Sequence, residues 1–269
     1  MSEGIAILGA GTMGEALLSG MVRAGRPASG LVVTTHDESR VEALRERYGV
    51  SVTGNVEAVE AASTVVVTVK PQDIGALLDE VAPVVTTDHL VVSVAAGITT
   101  SFIEKRLSGG VPVVRVMSNT PVLVDEAMSA ISAGSHAREE HLERAEGLLK
   151  PVGRTIRVPE SQLDAVTALS GSGPAYFFYL VEAMTDAGIL LGLPRSVAHE
   201  LIVQTAIGSA VMLRDSGDTP QVLREAVMSP AGTTIAAIRE MEDHKVRAAL
   251  LAALEAARDR SRELASGHE

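Results

Sequence analysis

The stretch Gly4-Ile5-Ala6-Ile7-Leu8-Gly9-Ala10-Gly11-Thr12-Met13-Gly14 decides the architecture of the chain. Its apolar run is short and apolar at every position, as a strand covered on both faces should be. Gly9, Gly11 and Gly14 follow in G-x-G-x-x-G spacing and lead into a helical pattern. In that arrangement the first glycine permits a tight turn, the second lets the backbone approach a pyrophosphate, and the third lets the helix lie close on the strand. Unpaired N–H groups and the helix dipole at such an N-terminus favour negative charge. Thr12 and Met13 fall in that first helical turn and count with the glycines as cofactor-contacting residues. The spacing alone is weak, but here it has its strand, its helix and a second strand at residues 31–34. The reading is a dinucleotide site, set against a plain βα turn.

Outward from this motif, strand patterns fall at residues 4–8, 31–34, 64–69, 90–94 and 113–117, with helical stretches at 13–24, 38–48 and 74–82. A strand–helix–strand passage at 127–131, 139–149 and 155–158 completes the pattern. This alternation predicts a parallel α/β sheet. After Ser161 no strand pattern remains, and helical segments follow at 162–169, 175–191, 196–215, 220–227, 235–241 and 244–265. The expected fold is therefore α/β, an N-terminal Rossmann-type doubly wound sheet (residues 1–160) followed by an all-α dimerisation domain (residues 161–269). The segment 175–191 is apolar nearly all round and carries Tyr176-Phe177-Phe178-Tyr179. A helical domain of ~110 residues has little interior to hide it, so burial against a second subunit is expected, a homodimer at least. The last residues, 266–269, are expected to fray.

Composition narrows the function classes. A net charge of −11 offers no basic face for nucleic acid. The absence of cysteine excludes disulfides, thiolate nucleophiles and cysteine-ligated zinc, and no metal site is expected. The N-terminus lacks a basic segment followed by a long apolar one, and no later apolar run is judged to approach a membrane span. These features predict a cytoplasmic protein with neither nucleic-acid nor membrane partners.

The second strand ends Val33-Thr34-Thr35-His36, and the first acids, Asp37 and Glu38, come late for holding ribose hydroxyls. Thr35, His36 and Arg40 could instead surround a 2′-phosphate, which favours NADPH, with NADH as the alternative. The plainer reading of Arg40 is a solvated helix residue. Val69-Lys70-Pro71 and Ala95-Ala96-Gly97 stand at two more strand ends and should border the cofactor. Lys70 is read either as an acid or as a solvent-facing neighbour of the ligand. In the second half, Ser170-Gly171-Ser172-Gly173-Pro174 and Ser229-Pro230-Ala231-Gly232-Thr233-Thr234 each read as a turn opening a helix. Such turns suit a small carboxylate, or serve as ordinary helix caps.

The run Asp164-Ala165-Val166-Thr167-Ala168-Leu169-Ser170-Gly171-Ser172-Gly173-Pro174-Ala175-Tyr176 resembles the signature of the pyrroline-5-carboxylate reductases. Asp186-Ala187-Gly188, Leu191-Gly192-Leu193, Val69-Lys70-Pro71, Ala95-Ala96-Gly97-Ile98, Arg115-Val116-Met117-Ser118-Asn119-Thr120-Pro121 and residues 229–234 resemble the family's other blocks, in order. Ser118 departs from a frequent proline and Ala231 from a frequent glycine. The resemblance implies hydride transfer from NADPH to the C=N bond of 1-pyrroline-5-carboxylate, giving L-proline. It implies an interleaved helical dimer, often five dimers in a ring, and a substrate site at the dimer interface. Ser229, Gly232, Thr233 and Thr234 would bind the ring carboxylate, and Glu160 would be an acid near the substrate. Asn55 would touch the cofactor. The proton on nitrogen would come with the substrate, from water or from Thr234, the candidate catalytic residue. A β-hydroxyacid dehydrogenase is the nearest rival, but Phe177 stands where those enzymes carry a lysine, and an apolar residue donates no proton. A non-catalytic NADPH-binding regulator would leave the 229–234 turn without a purpose.

Overall fold

The computed structural model describes residues 4–107 and 109–266. Eight strands form one sheet: β1 (Ile5–Leu8), β2 (Leu31–Thr34), β3 (Ser51–Val52), β4 (Thr64–Val67), β5 (Leu90–Ser93), β6 (Val113–Met117), β7 (Ala127–Ala133) and β8 (Gly153–Arg157). Their spatial order is β3-β2-β1-β4-β5-β6-β7-β8, and every pairing is parallel except β6 with β7. Helices α1 (Thr12–Arg23), α2 (Ser39–Tyr48), α3 (Asn55–Glu60), α4 (Ile74–Val81), α5 (Thr100–Arg106) and α6 (Glu139–Leu149) connect them.

The alternation within β1 shows why so apolar a strand is needed. Ile5 and Ile7 enter a core with Leu17, Leu18 and Met21 of α1. Ala6 and Leu8 enter the opposite core with Ala58 and Val59 of α3 and Leu77 and Leu78 of α4. Each large side chain so buried contributes roughly 1.5–3 kcal/mol, and none of the four positions tolerates a polar residue without an unpaired group in the interior. In register, Leu8 pairs with Thr34 on one side and Val67 on the other. The chain leaves β1 toward β2 and resumes at β4 on the other side, so a crevice opens beyond the ends of β1 and β4.

Three local features escape pattern reading. β3 is two residues long, too short for any period, and α3 and α5 have only six and seven residues. β4 ends at Val67 rather than residue 69, because Thr68 turns its hydroxyl onto the carbonyls of Leu8 (2.9 Å) and Gly9 (2.6 Å).

Contacts divide the chain into two compact units, the residues through Ser172 with those from Ala257 onward, and Gly173–Ala256. The division at residue 160 marks where strands stop, not where packing changes. α7 (Leu163–Val166) and a π-helical turn (Thr167–Gly171) bury Leu163 and Ala168 in the first unit. Asn119 Nδ2 donates to the Ser170 carbonyl at 3.2 Å, and Ser261 Oγ donates to Asp164 at 2.7 Å, drawing the end of the last helix back. The Ser170–Pro174 stretch leads into a helix as expected, one that begins at Gly173 and carries Pro174 in its first turn. Ser172 N donates to Thr167 O at 2.8 Å, which closes the π-helical turn before that helix.

The second unit holds α8 (Gly173–Leu190), α9 (Arg195–Asp215), α10 (Pro220–Ala226), α11 (Thr233–Asp243) and the first half of α12 (Val246–Ser266). Of the expected frayed tail, Ser266 ends α12 and residues 267–269 lie outside the described residues. Within this unit α8 and α9 bury only Gly173, Thr185 and Ala198. Phe177, Phe178 and Tyr179 are 68%, 69% and 71% exposed. The expectation that no apolar run approaches a membrane span is corrected by α9, which is long and apolar enough to cross one by length and composition. The same pattern serves a helix sandwiched between protein subunits.

Candidate functional site

At the end of β1 the three glycines have three separate physical jobs. Gly9 adopts φ +95°, and a Cβ there would meet the Val69 backbone N at 3.1 Å. A Cβ on Gly14 would meet Gly9 O at 2.6 Å and Thr68 Oγ1 at 2.7 Å, so α1 packs on the strand ends only with glycine. A Cβ on Gly11 would meet nothing within 4 Å, which leaves the loop open on the side where a ligand would rest. The loop is anchored by Gly9 N donating to Thr34 Oγ1 (3.1 Å) and Ala10 N to Thr34 O (2.7 Å). Gly11 caps α1 without any side-chain acceptor, so the first-turn amides of Thr12, Met13 and Gly14 are presented outward with the dipole behind them. These residues fit a dinucleotide pyrophosphate.

After β2, Thr35 Oγ1 accepts from Asp37 N at 3.2 Å. Asp37 accepts from Ser39 N (3.0 Å) and Ser39 Oγ (2.5 Å), bonds that hold its carboxyl below the usual range with help from the nearby Arg40 charge. The carboxylate is thus folded onto its own loop. His36 is exposed. Arg40 is not a freely solvated helix residue, because its Nη2 pairs with Glu15 Oε2. The other oxygen of Glu15 takes Arg47 Nη1 and the Tyr48 hydroxyl, both at 3.0 Å. Burial, and next its bond to Glu15, push the Tyr48 phenol up. These groups line a cavity of about 510 Å³ with Thr12, Ser19 and Arg23. Sequence reading missed the cluster, since Arg40, Arg47 and Tyr48 lie 25 to 33 positions from Glu15. The available signal was an acid in the first turn of the glycine-loop helix.

The remaining predicted cofactor residues leave the same edge of the sheet, because Val67 is in register with Leu8 and Ser93. Val69 is half-buried, Lys70 exposed, and Pro71 opens a 3-10 turn. Ala95 is buried, Ala96 exposed, and Gly97 has φ +76°. Asn55 starts α3 and donates to Glu80 Oε2 at 2.9 Å.

Glu160 is not a free acid. Its carboxylate accepts from Thr100 N (2.8 Å) and Thr100 Oγ1 (2.7 Å) and pairs with Arg115 at 3.1 Å. Arg115 projects from β6 with only 7% of its side chain exposed, so Glu160 is the counter-charge of an interior guanidinium.

In the second unit, residues 229–234 form a tight turn closed by Gly232 N donating to Ser229 O at 3.0 Å. Ala231 takes φ +58°, the left-handed region, where the family's frequent glycine would be free of strain. A Cβ on Gly232 would collide with the Ser229 side chain. Gly232 caps α11 without a side-chain acceptor. Thr233 and Thr234 therefore supply hydroxyls beside the outward-facing amides of the first turn.

Fold and site together define a two-part nicotinamide-dependent oxidoreductase, a Rossmann-like sheet followed by a helical dimerisation domain. The family of that type whose description is "NADP oxidoreductase coenzyme F420-dependent" matches residues 4–97, and "Pyrroline-5-carboxylate reductase dimerisation" matches residues 160–264. The chain is 45% identical to the pyrroline-5-carboxylate reductase of Corynebacterium melassecola, over 97% of this chain and 98% of that one. A solved pyrroline-5-carboxylate reductase from Coxiella burnetii superposes with a TM-score of 0.93 at 34% identity, covering 98% and 99% of the two chains. The Plasmodium falciparum pyrroline carboxylate reductase, solved with NADP bound, superposes with a TM-score of 0.87 at 26% identity, covering 98% of each. The chain belongs to the pyrroline-5-carboxylate reductase family. It is an oxidoreductase that acts on a C=N bond with NAD(P)H, reducing pyrroline-5-carboxylate to proline.

Proposed function

We propose a residue-level division of labour for this reduction. The cofactor, when bound, supplies hydride, and the protein's task is to hold two reactants in line while excluding water. The amides of Thr12, Met13 and Gly14 take the pyrophosphate, with Gly11 leaving room for its close approach. Thr35, His36 and Arg40 take a 2′-phosphate, making NADPH the preferred donor with NADH as the poorer one. Asn55, Val69, Lys70, Pro71, Ala95, Ala96 and Gly97 shape the remainder of the cofactor groove, with Gly9 as its hinge.

Ser229, Gly232, Thr233 and Thr234 bind the ring carboxylate at the N-terminus of α11, where amides and hydroxyls point one way. A cyclic iminium is already electrophilic, so no strong acid is required, and the Thr234 hydroxyl serves the ring nitrogen. Glu160 acts as a positioning residue through Arg115 and Thr100 rather than on the substrate. The functional boundary is put at residues 160/161, a reading supported by a dimerisation match that starts at residue 160. The exposed aromatic face of α8 supports a homodimer at least, with five dimers in a ring as the fuller assembly. The charge of −11 speaks against nucleic-acid partners, and the lack of cysteine fits a cytoplasmic enzyme without membrane partners.

The observation that carries this reading is the pair of uncapped helix N-termini, α1 behind an open Gly11 and α11 behind Gly232. The test follows absorbance of NADPH, and separately NADH, after adding pyrroline-5-carboxylate. Oxidation of both, faster with NADPH, is expected. Equal kcat/KM for the two donors would remove the roles given to Thr35, His36 and Arg40.

A further inference from the structure

We infer that Glu15 sets the preference between the two nicotinamide donors by competing with the 2′-phosphate for Arg40. The inference rests on the assignment of Arg40 to that phosphate. The carboxylate of Glu15 is fully engaged, Oε2 by Arg40 and Oε1 by both Arg47 and Tyr48. Its side chain is 25% exposed and that of Arg40 32% exposed, so water screens the pair only in part. Arg40 is thus not waiting for a ligand. It already holds an anion contributed by the very helix that presents the pyrophosphate amides.

Two arginines around one carboxylate leave an excess positive charge in the cleft, which a dianionic phosphate can use and a ribose hydroxyl cannot. To use it fully, the phosphate must share or displace Glu15, and it meets the carboxylate's own charge in doing so. The competition acts only on the phosphorylated cofactor. Glu15 therefore lowers discrimination and keeps the enzyme able to work with NADH. Tyr48 and Arg47 moderate the effect by drawing Glu15 away from Arg40.

The direct test uses fragments instead of turnover. Affinities for 2′,5′-ADP and 5′-AMP are measured by calorimetry on the full chain, alongside the NADPH-to-NADH ratio of kcat/KM. Glu15→Gln keeps the shape and the Tyr48 bond while removing the charge. It should tighten 2′,5′-ADP by about three- to tenfold, a partly buried pair's worth, and leave 5′-AMP unchanged. The kcat/KM ratio should rise by the same factor. In an Arg40→Met background the Glu15→Gln effect should vanish. Tyr48→Phe, which alters no charge at neutral pH and releases Glu15 toward Arg40, should weaken 2′,5′-ADP by about twofold; it tests the same idea should Glu15→Gln fold poorly.

If Arg40→Met itself leaves 2′,5′-ADP affinity unchanged, the assignment of Arg40 is wrong and the competition falls with it. If Arg40→Met weakens binding but Glu15→Gln does not strengthen it, Arg40 keeps its role and the competition alone is overturned.

Discussion

Alanine at Gly11 and alanine at Gly14 should separate cofactor binding from packing within one four-residue span. At Gly14 the new methyl carbon would lie 2.6 Å from Gly9 O and 2.7 Å from Thr68 Oγ1. The first of these is backbone and cannot step aside. Overpacking of this kind costs about 1–3 kcal/mol, of which alanine's better helix propensity returns roughly 1 kcal/mol. A net loss of about 1 kcal/mol lowers the melting temperature by about 2–4 °C in a chain of this size. Gly11 sits at φ −77°, ψ −163°, which alanine adopts freely, and its Cβ would have no neighbour within 4 Å. Its folding cost is confined to the N-cap, about 0.5–1 kcal/mol. The methyl would nevertheless occupy the cradle and push at least one amide from the pyrophosphate. A hydrogen bond to a charged group contributes about 1.5–3 kcal/mol, so NADPH affinity should fall about ten- to a hundredfold. Calorimetric titration with NADPH and a thermal melt on each variant read the two effects. A Gly11→Ala protein that stays folded and binds NADPH as tightly as the parent would refute the placement of the pyrophosphate at α1.

Three other perturbations probe the rest of the molecule. Glu160→Ala strands the Arg115 guanidinium in the interior, at a cost of about 3–5 kcal/mol; the melt should drop by about 10 °C, and the double change Glu160→Leu with Arg115→Met should recover much of it. No recovery would mean the pair is not what stabilises that junction. Ala231→Val places a β-branched residue at φ +58°, where such residues are strained. The KM for pyrroline-5-carboxylate should rise about tenfold with little change in NADPH affinity, the energy of the strain being about 1–2 kcal/mol; an unchanged KM would detach that turn from the substrate. Phe178→Asp puts a charge on a side chain that is 69% exposed in the single chain, so a folding effect is not expected there. Analytical ultracentrifugation should instead show a smaller species than the parent, and an unaltered sedimentation coefficient would place the subunit contact elsewhere.

Much of this protein is written locally. The run from Ile5 to Gly14 specifies a doubly buried strand, its turn and the helix that follows, because all three depend on neighbours within one or two turns of chain. The abrupt end of strand patterns after residue 160 announces the helical half for the same reason. The nearly all-round apolar surface of α8 already leads the sequence reading to expect a partner, since little of the helix is left for water. What the sequence alone leaves undetermined concerns groups far apart along the chain. Arg40 reads as a lone surface cation until folding brings Glu15, Arg47 and Tyr48 around it. Glu160 reads as an available acid until β6 delivers the buried Arg115 to it. The Ser170–Pro174 stretch reads as a helix-opening turn, and a helix does begin at Gly173, but the π-helical turn before it and the Asn119 bond to Ser170 lie beyond any local pattern. Local propensity and periodicity determined which elements form and where the glycine loop lies. Only the tertiary structure decided which charges are already neutralised, because an ion pair depends on the distance between two side chains in space and not on their separation in sequence.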